Sequence, residues 1–123
     1  MSSPYLTSVL LGACPGLHAS WDAERRASAP AAEPDDTALL DAVRRHAVEL
    51  LLAERIAEFA RFTRALERLL GDADPVLHEL LLDGLILPLA RDVRIARVPA
   101  AHVAPHLGRR TALAWPIGHD ARG

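Results

Sequence analysis

The chain has 123 residues, of which 50% are hydrophobic, 24% charged and only 4% aromatic, with a formal net charge of −2. That length fits one domain, residues 1–123, around one core, and so apolar a composition excludes a disordered chain. No apolar run reaches the ~18–20 residues of a membrane-spanning helix, and the charge balance offers nucleic acid no clustered basic face.

All basic residues are Arg and none is Lys, which removes lysine chemistry such as Schiff bases and phosphate-loop contacts. The one cysteine, Cys14, leaves no internal disulfide and fits a reducing, cytoplasmic setting. Residues 5–14 (YLTSVLLGAC) are apolar and end on Leu11-Gly12-Ala13-Cys14, a loose match to a bacterial lipoprotein cleavage box. The preceding Met1-Ser2-Ser3-Pro4 carries no basic residue and the apolar stretch is short for an export signal. The expectation is a short helix with Leu6, Val9 and Leu10 on one face, stopped before Pro15-Gly16. Cys14 then packs as a small hydrophobe, and Trp21 joins the same cluster.

Residues 27–36 (ASAPAAEPDD) combine two prolines with small and acidic residues and read as an internal loop. Asp35, Asp36 or Thr37 can cap the helix that follows, with acids favoured at its positive end. Residues 38–70 contain no Gly or Pro, so propensity alone permits one helix of roughly 50 Å. The phase of the apolar stripe forbids it. Leu39, Leu40, Val43, Ala47, Leu50 and Leu51 share one face, whereas Ile56, Phe59, Phe62, Thr63, Leu66, Leu69 and Leu70 share another. At ~100° per residue the two stripes are rotated by about a third of a turn. The pattern predicts a break at residues 53–55 and two antiparallel helices. On the second, Glu58–Arg61 and Arg64–Glu67 are candidate i,i+3 pairs on a solvated face.

Gly71 ends that helix, and Asp74-Pro75 opens the next through an Asp cap and a proline in the first turn. Residues 76–87 are apolar almost all round, which predicts a helix buried on most sides at the centre of the bundle and closed by Pro88. Its polar exceptions include Glu79 and Asp83, four apart on one strip. A like-charged pair there costs some stability, so it faces water or serves a partner. Residues 93–97 (VRIAR) alternate and predict an extended connector, a strand only if two chains meet. Residues 109–123 read as an irregular, proline-bearing tail in which Leu113, Trp115 and Ile117 form a packing patch.

Chemistry is sparse. There is no Gly-rich phosphate loop, nucleophile elbow or CxxC. Of six histidines only His102 and His106 have ligand-like spacing, and Pro105 between them opposes a regular helix. No catalytic residue, metal or cofactor is expected.

Four stretches carry a resemblance. They are Leu10-Leu11-Gly12-Ala13-Cys14-Pro15-Gly16 with Trp21; His46-Ala47-Val48-Glu49-Leu50-Leu51; Leu66-Glu67-Arg68-Leu69-Leu70-Gly71-Asp72 with Asp74-Pro75-Val76 and Asp83-Gly84-Leu85-Ile86; and Pro105-His106-Leu107-Gly108 with Trp115. In this order the chain resembles a family of small bacterial helical domains of uncharacterised function with a HEAT-like look. Its members resemble immunity proteins encoded beside polymorphic toxins. Here Leu87, before Pro88, stands where the family usually has an acid after the buried Gly-Leu-Leu, and the Pro/Ala-rich loop replaces a more aromatic stretch.

The resemblance implies an all-α bundle of about five helices that binds a protein partner, in its most specific form a cognate toxin. Immunity proteins often offer carboxylates to basic, nuclease-type toxins, which points to Asp35, Asp36, Asp72, Asp74, Glu79 and Asp83 as partner-binding positions. The same acids also suit plain helix capping. The rivals are a homo-oligomeric adaptor using Val93, Ile95 and Val98, and a small-molecule or metal binder.

Overall fold

A computed structural model describes residues 4–17, 21 and 36–115. Asp35 and Ile117 lie outside these residues. Among them there are α-helices and helical turns but no strand. The α-helices are α1 (Pro4–Ala13), α2 (Asp36–Leu52), α3 (Ile56–Asp72), α4 (Pro75–Leu81), α5 (Leu87–Ile95), α6 (Ala100–Val103) and α7 (Arg109–Ala114). A π-turn, Leu82–Ile86, joins α4 to α5, and a 3₁₀ turn, Ala104–His106, follows α6. The α-helices exceed the expected number of about five: the chain continues past Pro88 as α5, and residues 109–114, expected to be irregular, form α7.

The phase argument for α2 and α3 holds. Residues 53–55 interrupt the helix where the apolar stripe changes face, and the two helices pack on each other. The interruption is a Schellman turn: Arg55 N–H donates to the Leu50 carbonyl at 2.8 Å and Glu54 N–H to that of Leu51 at 3.1 Å. This closure needs a left-handed residue, usually Gly. Here it is Glu54, at φ 59°.

Helix α3 touches α1, α2, α7 and the 3₁₀ turn. Its buried side comprises Phe59, Phe62, Thr63, Ala65, Leu66, Leu69 and Leu70, with the two phenylalanine rings 6.0 Å apart. Leu6 and Leu10 of α1 are fully buried, as are Leu39, Leu40 and Val43 of α2 to within 1%. Cys14 and Trp21 join the same core. Burial of this apolar area at ~25 cal/mol per Å² is the main term that orders the helices.

Four expectations are corrected. Residues 76–87 are not buried on most sides: Leu81, Leu85 and Ile86 are fully buried, but Val76 is 78% exposed and Leu87 39%. An all-round apolar sequence does not specify which side faces inward, and within the segment it is the π-turn that packs against α2 and α7.

Pro88 does not close the helix. It sits in the first turn of α5, after a π-turn in which Leu87 N–H donates to the Leu82 carbonyl, five residues back. Proline lacks an N–H and its ring crowds the carbonyl four residues earlier; a widened turn before it lets the chain stay helical. That carbonyl belongs to Gly84, whose missing side chain also admits Leu40: a Cβ there would lie 3.0 Å from Leu40 Cδ1.

Residues 93–97 are not extended. Val93, Arg94 and Ile95 form the last turn of α5, followed by a second Schellman turn. Val98 N–H donates to the Val93 carbonyl and Arg97 N–H to that of Arg94, at 3.1 and 3.0 Å, with Arg97 left-handed at φ 62°. Val93 is consequently buried and Val98 rests on the core, so the apolar patch expected for an oligomer is reduced to Ile95. The patch expected at Leu113, Trp115 and Ile117 is corrected likewise: Trp115 packs on the core, but Leu113 is 83% exposed.

Candidate functional site

The acidic positions singled out from sequence divide by job. Asp36 is the first residue of α2. Asp74 caps α4, its Oδ1 accepting the Leu77 N–H at 2.8 Å. Asp72, at the end of α3, accepts the Tyr5 hydroxyl at 2.8 Å and so ties α1 to α3. That bond, which engages the phenolic proton, holds the Tyr5 hydroxyl above its ordinary pKa. Glu79 and Asp83 are exposed, and neither carboxylate accepts a hydrogen bond from a described residue. The structure therefore separates structural acids, Asp72 and Asp74, from two that cap nothing.

Those two belong to a wider feature. Through the π-turn, residues 75–95 form one continuous helical path. Val76, Glu79, Asp83 and Leu87 recur at three- and four-residue steps along it, and all four are exposed. The result is a solvent-facing strip with two carboxylates in the middle and an apolar side chain at either end. Sequence reasoning found the acids; it assigned both apolar ends to the core.

A second constellation was missed. Glu67, expected to pair with Arg64 on a solvated face, reaches across to α7. Its two carboxylate oxygens accept the Arg110 N–H at 2.9 and 3.0 Å, the Thr111 N–H at 3.1 Å and the Thr111 hydroxyl at 3.2 Å. The Arg110 guanidinium adds a contact at 3.3 Å. Burial pushes the Glu67 carboxyl up, but the N–H donors of Arg110 and Thr111 outweigh it and hold the group below the usual carboxylate range. Gly108 makes the approach possible, since a Cβ at that position would lie 2.3 Å from Glu67 Oε1. A carboxylate 41 positions before its glycine leaves no local sequence signature.

The expected i,i+3 pairs on α3 are replaced by Arg55–Glu58 at 2.8 Å. Between α2 and α5, Arg44 bridges Asp41 and Asp92, the latter at 2.6 Å, while its Nε is buried with no partner.

Two groups with catalytic potential are held inert. The Cys14 thiol is buried, and burial, helped by the charge of Glu58, pushes it up to about 12, so it stays protonated near neutrality. Glu67 is ionised and fully engaged as a helix cap. His102 lies in α6 and His106 in the following 3₁₀ turn, so the pair does not share one regular helix. Among the described residues no three His, Cys, Asp or Glu side chains group as metal ligands would, and no helix is long and apolar enough to cross a membrane. No protein-family model, curated protein or solved structure matches the chain.

Proposed function

We propose that this is a non-catalytic protein-binding domain, and in its most specific form an immunity-like protein that binds and neutralises a cognate bacterial toxin. The observation that carries the reading is the exposed strip of Val76, Glu79, Asp83 and Leu87. Two like charges four apart on a helix cost stability, and Val76 gains nothing from water, so the strip does not serve the fold. It suits a partner with a basic centre flanked by apolar contacts. Carboxylates in such a contact speed association and fix register, while desolvated apolar neighbours hold the complex. Support also comes from the state of Cys14 and Glu67, one neutral and buried, the other engaged by a helix end.

The test is a search of the neighbouring reading frames for a toxin domain and co-expression with any that is found, scored by survival of a bacterial host and by co-purification. The wild-type chain protects and co-purifies. The double reversal E79R/D83R, folded by circular dichroism, loses protection, with binding weakened at least about tenfold. Protection unchanged by that reversal would remove the strip from the interface. A folded wild-type chain that neither protects nor captures such a domain would remove the immunity reading.

A further inference from the structure

A second surface has the opposite chemistry. An open groove of about 550 Å³ lies between α3 and α7, lined among others by Arg64, Arg68, Arg110 and His106. We propose that this groove docks an acidic segment of a protein, its carboxylates received by Arg64, Arg68 and Arg110.

The charge count favours an anion. The groove's three guanidiniums stand against two carboxylates, Glu67 and Asp72, an excess of one positive charge, and those carboxylates are turned to the start of α7 and to the Tyr5 hydroxyl. Arg64 and Arg68 are exposed and form no ion pair with a described residue. Arg110 contributes the third guanidinium from the opposite wall. It lies over Gly71, where a Cβ would come within 3.4 Å of its Cζ. Its one contact to Glu67 leaves 60% of the side chain exposed.

The spacing favours a peptide over a small anion. Arg64 and Arg68 are four apart on one helix, with Cβ atoms ~5–6 Å apart. Alternate side chains of an extended chain repeat at ~6.6 Å, so two carboxylates on one face of a strand-like segment match the two guanidiniums. Each planar fork can take one carboxylate in bidentate fashion. Charges strung along a helix and across to α7 suit a line of carboxylates better than one phosphate, which calls for donors converging on a point.

Fluorescence anisotropy of the full chain with a labelled peptide of alternating Glu and Ser tests the proposal, with the Gln and Ser peptide as its control. The expected result is saturable binding of the Glu peptide alone, weakened as salt rises from about 50 to about 300 mM. R64E/R68E lowers affinity at least about tenfold, and the milder R64Q/R68Q lowers it by less. R55E/R91E makes the same change of charge away from the groove and keeps affinity within about twofold of wild type. Equal binding of the Gln peptide overturns the proposal, as does undiminished binding by R64E/R68E. Saturable binding of inorganic phosphate by a chain that ignores the Glu peptide also overturns it, making this a small-anion site.

Discussion

Helix α3 and the helical path over residues 75–95 are comparable in hydrophobic content to the eye, yet they solve burial differently. In α3 the apolar residues fall on one side and the charges on the other, and the fold buries seven residues of that side. In residues 76–87 the apolar residues go all round, and the fold buries some and leaves Val76 and Leu87 in water. Amphipathic contrast specifies a facing; hydrophobicity without contrast specifies only that some side will be inside. The side left over is then available to a partner.

The sharpest way to break this comparison is to truncate one residue from each region and follow urea unfolding. Phe62→Ala should cost about 4 kcal/mol, the range for a fully buried phenylalanine, whereas Val76→Ser should change stability by less than about 0.5 kcal/mol. Similar losses from both would show that Val76 is buried in the native state.

Next in size is the Glu67 cap, which joins α3 to the start of α7. Glu67→Ala should cost about 2–3 kcal/mol, since it removes several hydrogen bonds to a charged acceptor and leaves N–H groups unsatisfied. Because the carboxyl is held low in the folded state, its contribution is fully present above its unfolded value near ~4.3 and is lost as pH falls through the lower folded value. The wild-type chain should therefore lose stability more steeply on acidification than Glu67→Ala, as read from Tm against pH. Parallel acid limbs would contradict the cap.

Cys14 gives a smaller effect of opposite sense. Its pKa is raised in the folded state to about 12, so above ~8.5 the unfolded chain releases a proton that the folded chain keeps. Stability should decline as pH rises past that point, and Cys14→Ala should flatten the decline. A thiol reagent should label the native chain far more slowly than the urea-unfolded one.

The smallest expected change concerns the two Schellman turns that end α2 and α5. Glu54→Gly and Arg97→Gly should each stabilise by about 0.5–1 kcal/mol, by relieving a left-handed conformation that a Cβ disfavours. A loss of stability would indicate that the side chains make contacts worth more than that relief.

How much was legible follows from where each signal resides. The break at residues 53–55 was readable because two clean stripes differ in phase. The second Schellman turn was misread because its left-handed residue is Arg97 and its helix ends on an alternating VRIAR, which imitates a strand over five residues. The π-turn was misread because Pro88 ordinarily stops a helix. Of the candidate acids, Asp74 announced itself as a cap through the following Pro75, and Glu79 and Asp83 stood out as a like-charged pair. The Arg64–Arg68–Arg110 groove had no such signal, since α7 was not expected to form and Glu67 was assigned to a local pair.

The sequence by itself determined the all-α class, the α2–α3 break, the cap at Asp74 and the inward face of α3, all of them properties of near neighbours at helical spacing. Only the tertiary structure decided which side of residues 76–87 meets water, that Glu67 crosses to α7 above Gly108, and that three arginines border one groove. Local periodicity orients a helix about its own axis, whereas those outcomes depend on which helices arrive beside it.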